Sequence, residues 1–213
     1  MEDVLQKLDT EKKNRIINSA IEEFSKYPFN KASTNNIVKN AGISKGLLFH
    51  YFGNKKDLYE YISGFVIHKL FNEITKRIDW ENTDLFERIK QIALAKIELS
   101  ADYPQLFTLA IKVFTSENPT SLNQALKIYE DQGIDVQEYF TKVYQYNVDY
   151  TLFSDAKNIG INVDIIRWTI EKFAEEKVMS IDVTDDLTII QKVAEEMNIY
   201  IDVLKKAFYK NLD

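Results

Sequence analysis

Six glycines, at 42, 46, 53, 64, 133 and 160, and three prolines, at 28, 104 and 119, are all that punctuate a chain of 213 residues. Between them lie long stretches rich in Ala, Ile, Leu, Lys and Glu, residues that lose little side-chain freedom in a helix. So few breakers predict an all-α fold of about nine to ten helices. The length allows a substantial core in one domain or two.

The most informative stretch is Thr34 to Lys56, TNNIVKNAGISKGLLFHYFGNKK. An amphipathic helix precedes it from Thr10 to Lys26, with Ile16, Ile17, Ala20, Ile21 and Phe24 on one stripe and Lys12, Lys13, Arg15, Glu22 and Glu23 on other faces. Tyr27-Pro28 stops it, because the residue before a proline is pushed out of helical backbone. Thr34 is the expected cap of a short helix, Asn35 to Ala41, with Ile37 and Val38 inward. Gly42 turns the chain in a left-handed conformation, Ile43 plugs the angle, and Ser44 caps a second short helix whose buried side is Leu48 and Phe52. Lys45, Gly46, Leu47, Phe49, His50 and Tyr51 are left partly or wholly outward. That is an odd surface for a merely solvated helix and a suitable one for a DNA groove, where Leu47 meets a thymine methyl and Tyr51 a phosphate. Gly53-Asn54 closes the helix and Lys55 opens the next, so its ammonium and that helix's amino end can share a phosphate. The competing reading is a buried helical hairpin with Phe49, Tyr51 and Phe52 in the core.

Charge favours the groove. The net charge is -6, yet residues 1–56 hold ten Lys/Arg against six Asp/Glu, a surplus of +4, and the remainder carries -10. A basic head on an acidic body suits a protein whose head alone approaches phosphate.

The segment Ile16 to Tyr61 resembles the amino-terminal domain of the TetR family of bacterial transcriptional repressors. The resemblance is carried by I-V-x-x-A-G-I-S-K-G followed by L-F-x-Y-F-x-N-K-x-x-L-Y. It implies DNA contacts at Thr34, Ser44, Lys45, Gly46, Leu47, Phe49, His50, Tyr51 and Lys55. Family members commonly carry tyrosine where this chain has Phe49, so a hydroxyl contact to the backbone is expected to be missing there. The resemblance also implies a two-part organisation: a helix-turn-helix DNA-binding domain over residues 1–56, a connector helix over 55–77, and an effector-binding and dimerisation domain over 57–213.

In the body, a long helix from Asp57 to Arg77 is expected, then helices capped or opened by Asp84, Pro104 and Asn118-Pro119, the last running to about Gln132. A helix from Asp135 to about Ile159 is expected to end at Gly160, followed by helices over about Val163 to Met179 and Thr184 to Leu212. Tyrosines and phenylalanines crowd residues 103–153, apolar walls with polar tips. Since the family binds its ligands inside this bundle, Tyr103, Phe107, Phe114, Tyr139, Phe140, Tyr144 and Phe153 are the candidate lining of an effector pocket. Ile190, Val193, Met197, Tyr200, Leu204 and Phe208 step by threes and fours along the last helix. The resemblance makes this seam, with Ile165, Trp168 and Thr169, a four-helix homodimer interface; packing within the chain is the alternative.

The raw material for catalysis is thin. Two histidines far apart, no cysteine and no Gly-rich phosphate loop leave an enzyme the weak hypothesis, with no metal or cofactor expected. His68 reads as a surface or satisfied histidine, and the paired acids Glu175-Glu176, Glu195-Glu196 and Asp185-Asp186 as solvated faces, since adjacent helical residues point apart. A bundle that keeps the fold but binds protein is a third reading, disfavoured by the basic head. With no run of about 18 apolar residues and no apolar segment behind a basic start, neither a membrane span nor a secretory signal is expected. The expectation is therefore a cytoplasmic homodimeric repressor of a palindromic DNA operator, released by a small lipophilic or aromatic effector.

Overall fold

The computed structural model describes residues 9–115, 136–180 and 188–210. Among these the chain is all-α, with nine α-helices and one 3-10 turn: α1 (Thr10–Lys26), α2 (Thr34–Ala41), α3 (Lys45–Phe52), α4 (Lys55–Lys76), α5 (Leu85–Asp102), α6 (Pro104–Thr115), α7 (Val136–Gln145), the 3-10 turn Tyr150–Leu152, α8 (Ile159–Ser180) and α9 (Thr188–Phe208). No helix of the described residues is long and apolar enough to cross a membrane. The helix expected after Asn118-Pro119 lies outside the described residues.

Two compact units emerge, one of Met1–Lys69 with Gln105–Gln132, the other of Leu70–Pro104 with Gly133–Asp213. In the first, Ile16, Ala20 and Phe24 of α1, Ile37 and Ala41 of α2, Leu48 and Phe52 of α3 and Leu58 and Ile62 of α4 are all buried, so the apolar stripe of each short helix is covered by its neighbours. Burying each such side chain stabilises by about 1.5–3 kcal/mol, far more than an eight-residue helix contributes by itself. On α6, opened by Pro104 where a missing amide costs nothing, the Lys112 ammonium donates to the Ser25 carbonyl in the last turn of α1.

The second unit has its own core. Leu85, Phe86 and Ile89 of α5 meet Phe153, Ile166 and Phe173, and Ile201 and Tyr209 at the chain's end. Asp84 caps α5 as expected, accepting from the Phe86 and Glu87 amides. The Tyr209 hydroxyl accepts the Leu85 amide at 3.2 Å, and the Lys205 ammonium pairs with Asp84 at 2.8 Å and Glu87 at 3.0 Å, so α9 is bolted to the start of α5.

Three boundaries differ from expectation. Ser33, not Thr34, is the cap of α2: its side chain accepts the Asn36 amide. The single helix expected from Asp135 to about Ile159 breaks at Gln145, and Gly160, expected to end it, sits in the first turn of α8. Arg88 explains the break. This fully buried guanidinium donates to the carbonyls of Val143 (3.1 Å) and Tyr146 (2.7 Å), and to Asn82 (2.8 Å), occupying acceptors that a longer helix would use itself. Asn147 then takes φ 51, and Asp149 caps the short 3-10 turn. The last helix is described from Thr188 to Phe208, where its carbonyl is taken by the Ser154 amide at 2.9 Å.

Candidate nucleic-acid interface

The two-helix motif stands on α1, which grips α2 at both ends. Glu23 is buried, and its Oε1 accepts the Ser33 amide at 2.7 Å while Oε2 accepts from Asn36 Nδ2 at 3.2 Å. At the other end, Arg15 Nε donates to the Ala41 carbonyl at 3.2 Å. Neither side chain is visible as more than a polar face in the sequence reading. The signal was there for Glu23, which lies seven residues after Ile16 and three after Ala20 and so shares their buried stripe.

The turn is built as its residues dictate. Gly42 adopts φ 65, the left-handed region that a side chain disfavours, and its amide reaches the Lys39 and Val38 carbonyls. The Ile43 amide returns to Val38 at 3.0 Å, and Ser44 accepts the Leu47 amide at 3.2 Å, starting α3. Of α3, Leu48 and Phe52 are wholly buried. Ser44, Lys45, Gly46 and His50 are exposed, and Leu47, Phe49 and Tyr51 are half-buried, as is Thr34 at the start of α2. The buried-hairpin reading fails for Phe49 and Tyr51 and holds only for Phe52. A Cβ at Gly46 would meet nothing within 4 Å, so a flat, open patch lies between the Lys45 and Leu47 side chains. Lys45 Nζ sits 5.9 Å from the Phe49 ring centroid, and His50 packs edge-on to Tyr51 at 5.2 Å. Phe49, at the position where tyrosine is common, thus has a side chain to hold rather than a hydroxyl to offer.

At the end of α3, Gly53 takes φ 72, and a Cβ there would stand 2.7 Å from Asp57 Oδ2. Asn54 caps α4: its Oδ1 accepts the amides of Lys56 at 2.8 Å and Asp57 at 3.1 Å. Those two amides are therefore already bonded within the chain, so the amino end of α4 offers fewer open donors than the sequence suggested. The Lys55 ammonium lies 4.8 Å from the Phe29 ring centroid.

The body candidates fall in several places. Tyr144 and Phe153 are buried in the second unit's core and Tyr139 packs against it. Phe153 stacks edge-on with Tyr209 at 4.9 Å, and Tyr139 tilts onto Phe71 at 4.0 Å. Burial pushes the Tyr139 phenol up to about 12 and the Tyr144 phenol further, the nearby Glu171 carboxylate adding to the latter. Tyr103 is half-buried in this unit, while Phe107 and Phe114 are half-buried in the other; the Phe140 side chain lies outside the described residues. Along the last helix, Met197 is buried and Val193, Leu204 and Phe208 pack against the chain's own core. Tyr200, Ile165 and Trp168 are exposed, and Thr169 is half-buried with its hydroxyl on the Ile165 carbonyl. Ile161, Ile199 and Val203, exposed by 59%, 64% and 61%, were not singled out from sequence. Their spacing, 161-165-168 on α8 and 199-203 on α9, was legible as a second stripe.

Residues 16–62 match the family model of the bacterial regulatory proteins, tetR family. No curated protein matches the sequence. Solved structures similar in fold include a TetR family transcriptional regulator from Chloroflexus aurantiacus J-10-FL, with 18% identity, 98% of each chain covered and a TM-score of 0.60. A ketosteroid transcriptional regulator of Mycobacterium tuberculosis is similar at 15% identity over 96% of this chain and 98% of that one, TM-score 0.53. So is a fatty acid degradation regulator from Bacillus halodurans, at 18% identity over 90% and 96%, TM-score 0.52. Residues 16–62 thus match the amino-terminal domain of the tetR family of bacterial regulatory proteins, and the fold of the chain is similar to that of solved TetR family transcriptional regulators.

Proposed function

We propose that the protein is a ligand-responsive repressor that binds a palindromic operator as a homodimer. The observation that carries this is α3 itself: Leu48 and Phe52 anchor it, while Ser44, Lys45, Gly46, Leu47, His50 and Tyr51 form a polar and aromatic edge with open space at Gly46. Each subunit lays this edge in the major groove, Leu47 on a thymine methyl, Tyr51 and Lys55 on phosphates, with half-sites about 34 Å apart or a multiple of it.

The two-fold partner docks on the exposed apolar residues of α8 and α9, namely Ile161, Ile165, Trp168, Ile199, Tyr200 and Val203. This face replaces the seam through Val193, Met197, Leu204 and Phe208, whose side chains are engaged inside the chain. A lipophilic effector is supported by the aromatic density of residues 103–153 and by neighbours named for ketosteroid and fatty acid degradation regulation. Effector binding tilts the connector α4 and changes the spacing of the two heads, and it works only if the effector binds the DNA-incompetent spacing more tightly.

Selection of bound DNA from random duplexes tests the reading. The expected outcome is a palindromic consensus whose enrichment is lost on adding the cognate ligand; recovery of no sequence preference sinks it.

A further inference from the structure

We propose that Phe29 is a positioning residue for DNA binding, holding the Lys55 ammonium at the edge of the head where a phosphate takes it. This rests on Lys55 being a phosphate contact, as proposed above.

Lys55 Nζ lies 4.8 Å from the Phe29 ring centroid, well within the distance at which a ring face attracts a cation. Phe29 is 40% exposed, and its ring is nevertheless held in place. It packs on Tyr59 at 5.1 Å, and Tyr59 packs edge-on to the buried Phe24 at 5.0 Å. A ladder of rings thus climbs from the core of the head and ends under the ammonium. The backbone on both sides is fixed too. Phe29 sits in the turn where the Lys31 and Ala32 amides return to the Pro28 carbonyl, and Lys55 opens α4 beside the Asn54 cap. Only the lysine stem is left to be ordered.

The neighbouring cations show what this arrangement avoids. Lys56 leans toward Glu60 at 3.6 Å, and Lys26 pairs with Glu22. A cation held by a carboxylate must give that partner up before it can bind phosphate. A ring confines the ammonium without a carboxylate to neutralise its charge, and the N–H donors directed away from the face remain for a phosphate. The stem is then ordered before the DNA arrives, so less freedom is lost on binding. An exposed contact of this kind is worth about 2- to 5-fold in the population of the held rotamer.

The test is a double-mutant cycle read by binding to a labelled duplex that the wild-type protein has recovered from random sequences, across a salt series. Phe29→Leu is expected to weaken binding about 2- to 5-fold while the slope against salt stays the same, because the charge is still there. Phe29→Tyr, which keeps the ring, should bind as wild type. In a Lys55→Ala background Phe29→Leu should cost clearly less than it does in the wild type, the difference being the coupling of the two side chains. A Phe29→Leu loss of the same size in that background, or no loss in either, overturns the positioning role while leaving the Lys55 contact intact. If Lys55→Ala by itself changes neither affinity nor slope, the phosphate contact falls and the positioning role with it. Loss of packing on Tyr59 is common to both backgrounds and cancels in the cycle.

Discussion

The Glu23 carboxylate of α1 accepts the Ser33 backbone amide at 2.7 Å, and through this bond the first helix sets where the two-helix motif begins. Ser33 is the cap of α2, and the other oxygen of Glu23 takes Asn36 Nδ2, so one buried carboxylate organises the whole first turn. Hydrogen bonds to a charged group are worth about 1.5–3 kcal/mol, and leaving the amide unmet adds its own desolvation cost. Glu23→Ala is expected to lower stability by about 2–3 kcal/mol in urea unfolding followed by circular dichroism. DNA binding should weaken beyond what the unfolded fraction explains, since α2 and α3 lose their reference point. An unfolding midpoint equal to wild type removes this role.

Lys55→Ala should weaken binding to every duplex alike and lower the slope of log affinity against log salt by about one. Fluorescence anisotropy at several salt concentrations measures it. An unchanged slope takes Lys55 off the list of contacts.

Gly46 lies inside α3 with open space where a Cβ would stand. Gly46→Ala should therefore stabilise the free protein by about 0.5–1 kcal/mol, as alanine does in an accessible helix. If α3 lies flat in a groove, the same methyl meets DNA, and affinity should fall while the melting temperature rises. The two effects have opposite signs, which separates a binding surface from a merely solvated one. An equal affinity would place Gly46 away from the groove.

For the proposed subunit interface, Trp168→Glu combined with Val203→Glu should give monomers in sedimentation without loss of helicity, because both side chains are exposed. Leu204→Ala should instead cost stability, roughly 2–4 kcal/mol, since Leu204 packs against the chain's own core. A dimer that survives both glutamates would mean that α8 and α9 do not meet a partner.

Buried phenols make the body sensitive to alkali. Burial raises Tyr139 to about 12 and holds Tyr144 and Tyr209 neutral as well, whereas the unfolded chain loses those protons near the ordinary tyrosine value of about 10. Above that value the unfolded state binds fewer protons than the folded one, so stability present at neutral pH is lost as pH rises. Melting temperatures between about pH 9 and 11 should fall less steeply in Tyr144→Phe than in wild type. Parallel curves would show that this phenol titrates alike in both states.

The all-α class and the two-helix motif were readable because they depend on local rules. Gly42 needs a left-handed turn, Ser44 needs an amide three residues on, and Leu48 and Phe52 share a face wherever the helix lies. The candidate DNA surface followed from subtraction along one short helix, and the structure leaves Lys45, Gly46 and His50 exposed there. Elsewhere periodicity named apolar stripes without saying what covers them. Leu204 and Tyr200 belong to one sequence seam, yet one packs inward and the other faces out, because the choice depends on where α5 and α8 lie against α9. The sequence does not single out Arg88, and Glu23 reads there as one of the polar positions of α1. Each is buried because it meets backbone groups that are distant in sequence, Val143 and Tyr146 for the one and Ser33 for the other. Local backbone chemistry and side-chain spacing were decided by the order of residues; which stripe is inside, which helix stops at Gln145 and which charge becomes a staple were decided by tertiary packing, since only there do distant donors and acceptors meet.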